Sequence, residues 1–421
     1  MNEHIIPLSD FQRCASSLCG AKSAALAKIS SLGIPVPGGF CIGAEIYRNF
    51  LSTTNLSEEI LMELGRKEYE DMRWEEMWDA ALRIRNLFLR TQMPAAIQDV
   101  IVVALQEFCP NKTLAIRSSS LAEDSAHSSF AGIHESFINI KGEDDILKHV
   151  KLVWASLWSD AAFAYQKELN LDIKGSAMSV IVQEMIFGEK SGVAFGMNPQ
   201  DAKQSVIECV YGLNKGLVDG DIEPDQWILD RQNGSIVNSR IVEHSHHVVP
   251  LENGVRLAPR KQKDLSTPTL NTKEITQVFD TVIQLETIFG SPQDMVWTFQ
   301  QGNLYVLQSR PITTKESDFK NDRRSFDLSL RRSFENLKEL GARIENDLIP
   351  SMVAQADELQ EIKLDTCSKE ELTKELENRK RIFDHWKNVY WDDFIPFAHG
   401  VRLFGEVYNN RLVPHDPYEF L

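Results

Sequence analysis

Residues 294–311, DMVWTFQQGNLYVLQSRP, hold two apolar runs joined by Gln301, Gly302 and Asn303. A Gly-containing link of this kind reads as a β-hairpin, and a three-residue turn over 301–303 sets Val296 directly across from Gln308. Strand side chains alternate between faces, which predicts that Leu304, Val306, Gln308 and Arg310 share one face. An apolar strand face would then end in an amide and a guanidinium, groups suited to a charged ligand.

Outward from the hairpin, the stretch from Leu114 to Pro311 alternates short apolar runs with Gly-containing loops. The runs are LAIRSSS (114–120), SFINI (136–140), MSVIVQEM (178–185), SGVAFGMNP (191–199), SVIECVYGL (205–213), QWILD (226–230) and NLYVLQSRP (303–311). This pattern predicts a mixed α+β domain. Upstream, GAKSAALAKI (20–29) has helix-forming alanines, and LGIPVPGGFCI (32–42) has the Pro and Gly of a loop entering a strand. Residues 56–107 show helical spacing, with Leu61, Leu64, Trp74, Met77 and Ala81 expected in the core.

Beyond Thr314 a charged stretch, KESDFKNDRR (315–324), leads into two expected helices. Phe334, Leu337, Leu340, Ile344 and Leu348 form one apolar stripe before Pro350, and Leu372, Leu376, Ile382, Trp386 and Tyr390 form the other. We therefore expect a domain over 1–315, a linker over 316–330 and a helical domain over 331–421. The final PHDPYEFL (414–421) carries no capping signal, which suggests a longer natural protein.

The chain has 421 residues, 43% of them hydrophobic, enough for more than one packed core. A net charge of −16 and the lack of a long Lys/Arg run argue against nucleic acid as a partner. An anionic ligand would instead need a few placed cations. The six cysteines (Cys14, Cys19, Cys41, Cys109, Cys209 and Cys367) form no CxxC pair and suit a reducing cytoplasm. No apolar run approaches the ~20 residues that span a bilayer, and MNEHIIPLSD lacks an export pattern, so no membrane association is expected.

Three sets of residues carry candidate chemistry. Arg117 ends a short apolar run and precedes three serines, with Gly132 in the hydroxyl-rich loop beyond. An Arg fork and close backbone N–H groups suit phosphate oxygens, while a salt-bridged surface turn is the plainer alternative. Lys22 falls in the first turn of an expected helix, where a point cation and free N–H groups could meet an anion. Ala21 intervenes between Gly20 and Lys22, so the spacing is not that of a P-loop, and an exposed lysine is the alternative. Gln183 and Gln308 offer amide oxygens that a hard cation accepts, or that a structural hydrogen bond uses. His246 and His247 have no carboxylate or cysteine at ligand spacing and read as a solvated loop.

Together these fragments resemble the ATP-grasp nucleotide-binding domain of the phosphoenolpyruvate synthase, pyruvate phosphate dikinase and rifampin phosphotransferase superfamily. GAKSAALAKISSLGIPVPGGFCI and AIRSSSLAEDSAHSSFAG are similar to its first two motifs, and VIVQEMIFGEKSGVAFGMNP, YGLNKGLVDGDIEPDQW and LYVLQSRPIT follow in the family's order. The helical tail is more similar to the rifampin phosphotransferase-like arrangement. The resemblance covers residues 10–315 and implies that Lys22, Arg117, Gly132, Ser136, Gln183, Gln308 and Arg310 bind ATP. It implies Lys22, Arg117 and Arg310 as catalytic cations on the phosphates, Gln183 on the adenine side and Gln308 facing Mg²⁺. Arg310 is the residue expected to stabilise transition-state charge.

The family uses ATP to phosphorylate a histidine on a mobile domain, releasing AMP and phosphate, and that histidine passes phosphate to a small-molecule acceptor. Its Gly-rich Ser/Thr-His motif is absent from these 421 residues, so a further portion or a separate subunit is expected to supply the histidine carrier. Two departures stand out. Asp294-Met295-Val296-Trp297 replaces the usual Asp-Ile-Glu-Trp, and Gly212-Leu213-Asn214-Lys215 replaces Gly-Leu-Gly-Glu. The first removes a metal-binding carboxylate, and Asp294 is not expected to replace it, because a two-residue shift keeps the face but moves the oxygen about 6.5 Å along the strand. The alternatives are a degenerate nucleotide-binding module without phosphotransfer and a subunit of a split, phenylphosphate synthase-like enzyme.

Overall fold

The computed structural model describes residues 2–67, 72, 74–121, 134–159, 162–163, 176–198, 201–218, 222–252, 254–260, 265–312 and 334–419. The chain divides into two compact units, Met1–Lys315 and Glu316–Leu421. The expected linker and Gly132 lie outside the described residues. Among the described residues no single helix is long and apolar enough to cross a membrane.

The first unit opens with β1 (Ile5–Pro7), α1 (Ser16–Ser31) and β2 (Gly39–Ile42). Four helices follow: α2 (Ala44–Thr53), α3 (Leu56–Leu64), α4 (Trp74–Arg90) and α5 (Ala95–Phe108). Then come β3 (Leu114–Ser120), β4 (Ser136–Ile140), α6 (Glu143–Ala155) and β5 (Met178–Glu184). The five strands form an antiparallel sheet in the order β1-β2-β5-β3-β4. One face buries Phe40, Ile42, Leu114, Ile116, Val180 and Val182 against Phe88, Ile101 and Trp154 of α4, α5 and α6. Each such side chain contributes about 1.5–3 kcal/mol. The ladder register puts Cys41, Ala115, Arg117, Ser119, Ile181 and Gln183 on the other face.

The second sheet takes β6 (Lys190–Phe195), β7 (Gln204–Tyr211), β8 (Asp225–Asp230), β9 (Ile236–Arg240), β12 (Gln293–Gln300) and β13 (Asn303–Pro311). Its order is β13-β12-β6-β7-β8-β9, and β10 (His246–Pro250) with β11 (Val255–Pro259) makes a separate ribbon. Ala194, Ile207, Trp227, Met295, Trp297 and Phe299 pack against Val278, Val282 and Leu285 of the helix Thr272–Phe289. Gly192 is required here, because a Cβ would fall 2.5 Å from the Trp297 ring.

The hairpin differs from its sequence expectation in two ways that cancel in one respect and not in another. Its turn has two residues, with Gln301 at φ 51° and Gly302 at φ 76°, and Gln300 pairs with Asn303. A bulge follows: Trp297 pairs with Val306, but Val296 pairs with Gln308, leaving Leu307 unpaired. The extra residue restores the expected Val296–Gln308 pairing yet reverses the faces. Leu304, Val306 and Ser309 are buried on the helix-covered side. Gln308 and Arg310 share the opposite face with Asp294, Val296 and Thr298. The expectation that all of Leu304, Val306, Gln308 and Arg310 lie on one face is therefore corrected, because a bulge resets strand alternation.

Other local expectations shift by smaller amounts. Residues 56–107 form three helices rather than one run, and α3 buries Leu56 and Ile60 while Leu61 is 46% exposed. Met77 and Ala81 are buried as expected, Leu64 packs at the margin, and the Trp74 side chain lies outside the described residues. His246 and His247 belong to a strand, not a loop. In the second unit Ile344, Leu348 and Val389 make a small core with Leu340, Trp386 and Phe394, whereas Leu376 is 68% exposed. The side chains of Phe334 and Leu337 lie outside the described residues. Two π-helical turns, Ile344–Leu348 and Tyr390–Phe394, each precede an Ile-Pro pair. Pro350 and Pro396 have no N–H to return four residues back, and the ladder accommodates this by widening locally.

Candidate functional site

β3 runs between β5 and β4, so Arg117 leaves the centre of the first sheet on its open face. Its Nη1 donates to the Leu307 carbonyl at 2.6 Å, and its Nη2 donates to Gln308 Oε1 at 2.8 Å. Leu307 is the bulge residue, so the same irregularity that turns Gln308 outward also presents a carbonyl to the guanidinium. Two charge-assisted hydrogen bonds thus join the sheets at this point. Ser136 stands directly across from Arg117 on β4 and is exposed.

Arg310 and Asp294 form the next pair on the same face of the hairpin. Arg310 Nε and Nη2 donate to Asp294 Oδ2 at 2.7 and 2.5 Å. The Asp294 side chain is 8% exposed, and its Oδ1 is buried without a hydrogen-bond partner among the described residues. A buried carboxylate oxygen in that state costs free energy unless a cation or a donor arrives. Val296, beside Gln308, brings no oxygen.

Lys22 is placed by a break in α1. Gly20 takes φ 74° and ψ 164°, so the regular helix restarts after it, with Lys22 in the first turn. A Cβ at Gly20 would lie 2.2 Å from the Ser119 carbonyl oxygen, so only glycine permits this approach and this left-handed φ. Ser119 Oγ donates to the Cys19 carbonyl at 2.7 Å and accepts from the Ser23 N–H at 3.2 Å. It acts as an N-cap supplied by another element. Ser119 lies two residues from Arg117 on the same strand face, which ties the Lys22 turn to the arginine strand. Helix α1 also packs against β13.

Gln183 occupies the same open face, paired with Ala115 and Gly39. It is buried, and its Nε2 donates to the Pro37 carbonyl at 3.1 Å. The structure therefore brings Arg117, Gln308 and Arg310 onto a common face, with Ser136, Gln183 and the Lys22 turn bordering it.

Sequence reading missed Ser119 as a capping group, the open oxygen of Asp294, and a buried cluster around Asp225. The Asp225 carboxylate accepts from Val242 N, Thr269 N and Thr269 Oγ1 and contacts His244 Nε2 at 2.8 Å. Burial pushes this carboxyl up, but the His244 contact and the backbone donors outweigh it and hold it below its usual value. EPDQW gives one signal of it, a carboxylate placed where an inward strand position begins.

Magnesium, implied by the resemblance, can be judged against these donors. Asp294 Oδ1 and Gln308 Oε1 are hard oxygen donors on one face, the first buried and unpartnered and the second held by Arg117. Among the described residues no cluster of three or more His, Cys, Asp or Glu could hold a metal alone. The donor set fits a cation that completes its shell with phosphate oxygens and water, the usual habit of Mg²⁺.

A family model described as pyruvate phosphate dikinase, AMP/ATP-binding domain, matches residues 16–327. A "Probable phosphoenolpyruvate synthase" from Methanocaldococcus jannaschii is 31% identical over 305 residues, covering 70% of this chain and 26% of that protein. One of the same name from Archaeoglobus fulgidus is 33% identical over 319 residues, covering 74% of this chain and 42% of that protein. "Rifampicin phosphotransferase" of Bacillus subtilis is 31% identical over 318 residues, covering 75% of this chain and 36% of that protein. The matched part of the chain thus spans less than half the length of each of these relatives.

Proposed function

Because the chain belongs to the family of pyruvate phosphate dikinase AMP/ATP-binding domains, we propose that it is the ATP-binding part of a dikinase-type phosphotransferase with an ATP-grasp domain. ATP lies on the shared face between the two sheets. Lys22, Arg117 and Arg310 neutralise its phosphates, Ser136 borders them, and Gln183 lies toward the adenine; Gly132 is assigned to ATP by the resemblance alone. The observation that carries this reading is the Arg117 fork on Leu307 O and Gln308, which ties the arginine strand of one sheet to the strand of the other that carries Arg310.

Phosphoryl transfer depends mainly on positioning and electrostatics, which is what such a cluster supplies. Arg310 balances charge on the transferring group, and Asp294 holds the Arg310 guanidinium in place through Oδ2. A bound Mg²⁺ would neutralise phosphate charge and take Asp294 Oδ1 and Gln308 Oε1 as its protein ligands. The acidic donor then stands two hairpin pairs from Val296, on the Arg310 side, which departs from the expectation that Asp294 does not replace the missing glutamate. The phosphoryl acceptor is a histidine on a further portion or a partner subunit, with AMP and phosphate released. That histidine serves a small-molecule acceptor, whose selectivity belongs to the helical residues 331–421. The six free cysteines fit a cytoplasmic setting.

Calorimetry with ATP, with and without Mg²⁺, tests the site. Arg117→Ala should lower ATP affinity about 100-fold, matching ~3 kcal/mol for lost charged hydrogen bonds. Asp294→Asn should remove the Mg²⁺ dependence, and Val296→Glu should strengthen it. Unchanged ATP affinity in Arg117→Ala would sink the assignment. Supplied with the histidine carrier and acceptor, the wild type should release AMP; tight metal-independent ATP binding without AMP would favour a sensor instead.

A further inference from the structure

Cys14, Cys19 and Cys41 meet in one buried cluster with Ile6 and Ala27. The Cys14 and Cys41 thiols lie against that of Cys19, and Cys41 Sγ donates to the Cys19 carbonyl at 3.6 Å. The cluster is buried but not deep, because residues 11–13 and 15–18 are all exposed. Cys14 closes a surface turn through its N–H to the Asp10 and Phe11 carbonyls, each at 3.2 Å. Cys41 is fixed inside β2, between β1 and β5. Opening a surface turn costs far less than opening a sheet, so Cys14 is the partner free to reach disulfide geometry.

Cys19 is the natural nucleophile of the three. The Cys14 hydrogen bond, then that from Cys41, and the Arg13 charge lower its thiol against the opposing effect of burial. Its backbone is also the hinge of the Lys22 turn. The Cys19 carbonyl receives Ser119 Oγ, the next residue is the left-handed Gly20, and Ser119 in turn caps Ser23.

We propose that Cys14 and Cys19 form a reversible disulfide, and that closing it unseats the Lys22 turn; its effect on ATP rests on the nucleotide reading above. With hydrogen peroxide as oxidant, the Cys19 thiolate attacks one oxygen, the O–O bond breaks, and Cys19 becomes a sulfenic acid as hydroxide leaves. The Cys14 thiolate then attacks the sulfenic sulfur, forming S–S and expelling a second hydroxide. Protons from the two thiols convert both hydroxides to water, so two thiols and one peroxide give one disulfide and two waters. A small thiol reverses it by exchange. The covalent bond draws Cys19 toward Cys14, away from Ser119, and the cap on Ser23 is lost with it.

The test treats the full chain with hydrogen peroxide, maps cross-linked peptides, and measures ATP affinity by calorimetry before and after. A Cys14–Cys19 cross-link, reversal by dithiothreitol and at least a tenfold loss of ATP affinity are expected. Cys14→Ser should abolish the cross-link, and Cys41→Ser should leave it intact. No cross-link, a cross-link through Cys41, or an unchanged affinity in the cross-linked protein overturns the proposal. A reduced protein that fails to bind ATP overturns the nucleotide reading instead, and the peptide map still decides the disulfide.

Discussion

β3 runs through the interior of its sheet with a ladder on each side, whereas β13 is the outer strand of the other sheet. Both deliver an arginine to the same face, by opposite means. β3 does so by unbroken alternation along Arg117 and Ser119, and its seven ladder pairs with β5 leave no room for an extra residue. β13 has a strand partner on one side only, so it can bulge at Leu307 without disrupting a second ladder. The bulge re-aims Gln308 and Arg310 and leaves a carbonyl that Arg117 occupies. A central strand holds the fixed half of the site, and an edge strand holds the half whose direction one residue decides.

Deleting Leu307 is the most severe way to break that difference. Gln308 would then follow Val306 directly, so the regular ladder keeps Gln308 across from Val296 and Arg310 across from Asp294. What goes is the Leu307 carbonyl that accepts from Arg117 Nη1. Losing that charged hydrogen bond across the two sheets should cost about 1.5–3 kcal/mol. Thermal unfolding should show a fall in Tm together with weaker ATP binding. A deletion variant that melts and binds like the parent would mean the bulge has no role.

Two adjacent serines on β3 sharpen the other side. Ser119→Ala removes the donor to Cys19 and the cap on Ser23, and should cost about 1–2 kcal/mol. ATP affinity should fall with it as the Lys22 turn loosens. Ser118 points the other way, buried, with an Oγ that has no partner among the described residues. Ser118→Ala should therefore be neutral or slightly stabilising, since it removes an unsatisfied hydroxyl. Equal effects of the two substitutions on Tm and affinity would show that neither serine is tied to the site.

The same contrast explains what could be read from the chain. The bounds of β3 and β4 were legible as LAIRSSS and SFINI, because local apolar runs and turn residues determine them. The mixed sheet-and-helix character followed from repeating that pattern to Pro311. The faces of Gln308 and Arg310 were not legible, because Leu307 is as apolar as its neighbours and nothing in LYVLQ marks it as the residue without a partner. Leu61 and Leu376 misled for a related reason: helical spacing gives a stripe but not which of two adjacent stripes meets the core. Ser119, Asp294 and Cys19 acquire meaning only through contacts far apart in sequence, such as the 100 residues that separate Ser119 from Cys19.

The smallest expected effect concerns the turn itself. Gln301 adopts φ 51°, an unfavourable region for a long side chain, and precedes Gly302 in a two-residue turn. Asn tolerates that conformation, and Asn-Gly is the favoured pair for a turn with both central residues at positive φ. Gln301→Asn should stabilise the first unit by up to ~1 kcal/mol, read as a rise in Tm, with ATP affinity unchanged because the turn lies several pairs from Gln308. A three-residue turn over 301–303 would instead place its left-handed residue at Asn303, and Gln301→Asn would then gain nothing. A rise in Tm supports the two-residue turn, and with it the need for an extra residue at Leu307 to bring Gln308 opposite Val296.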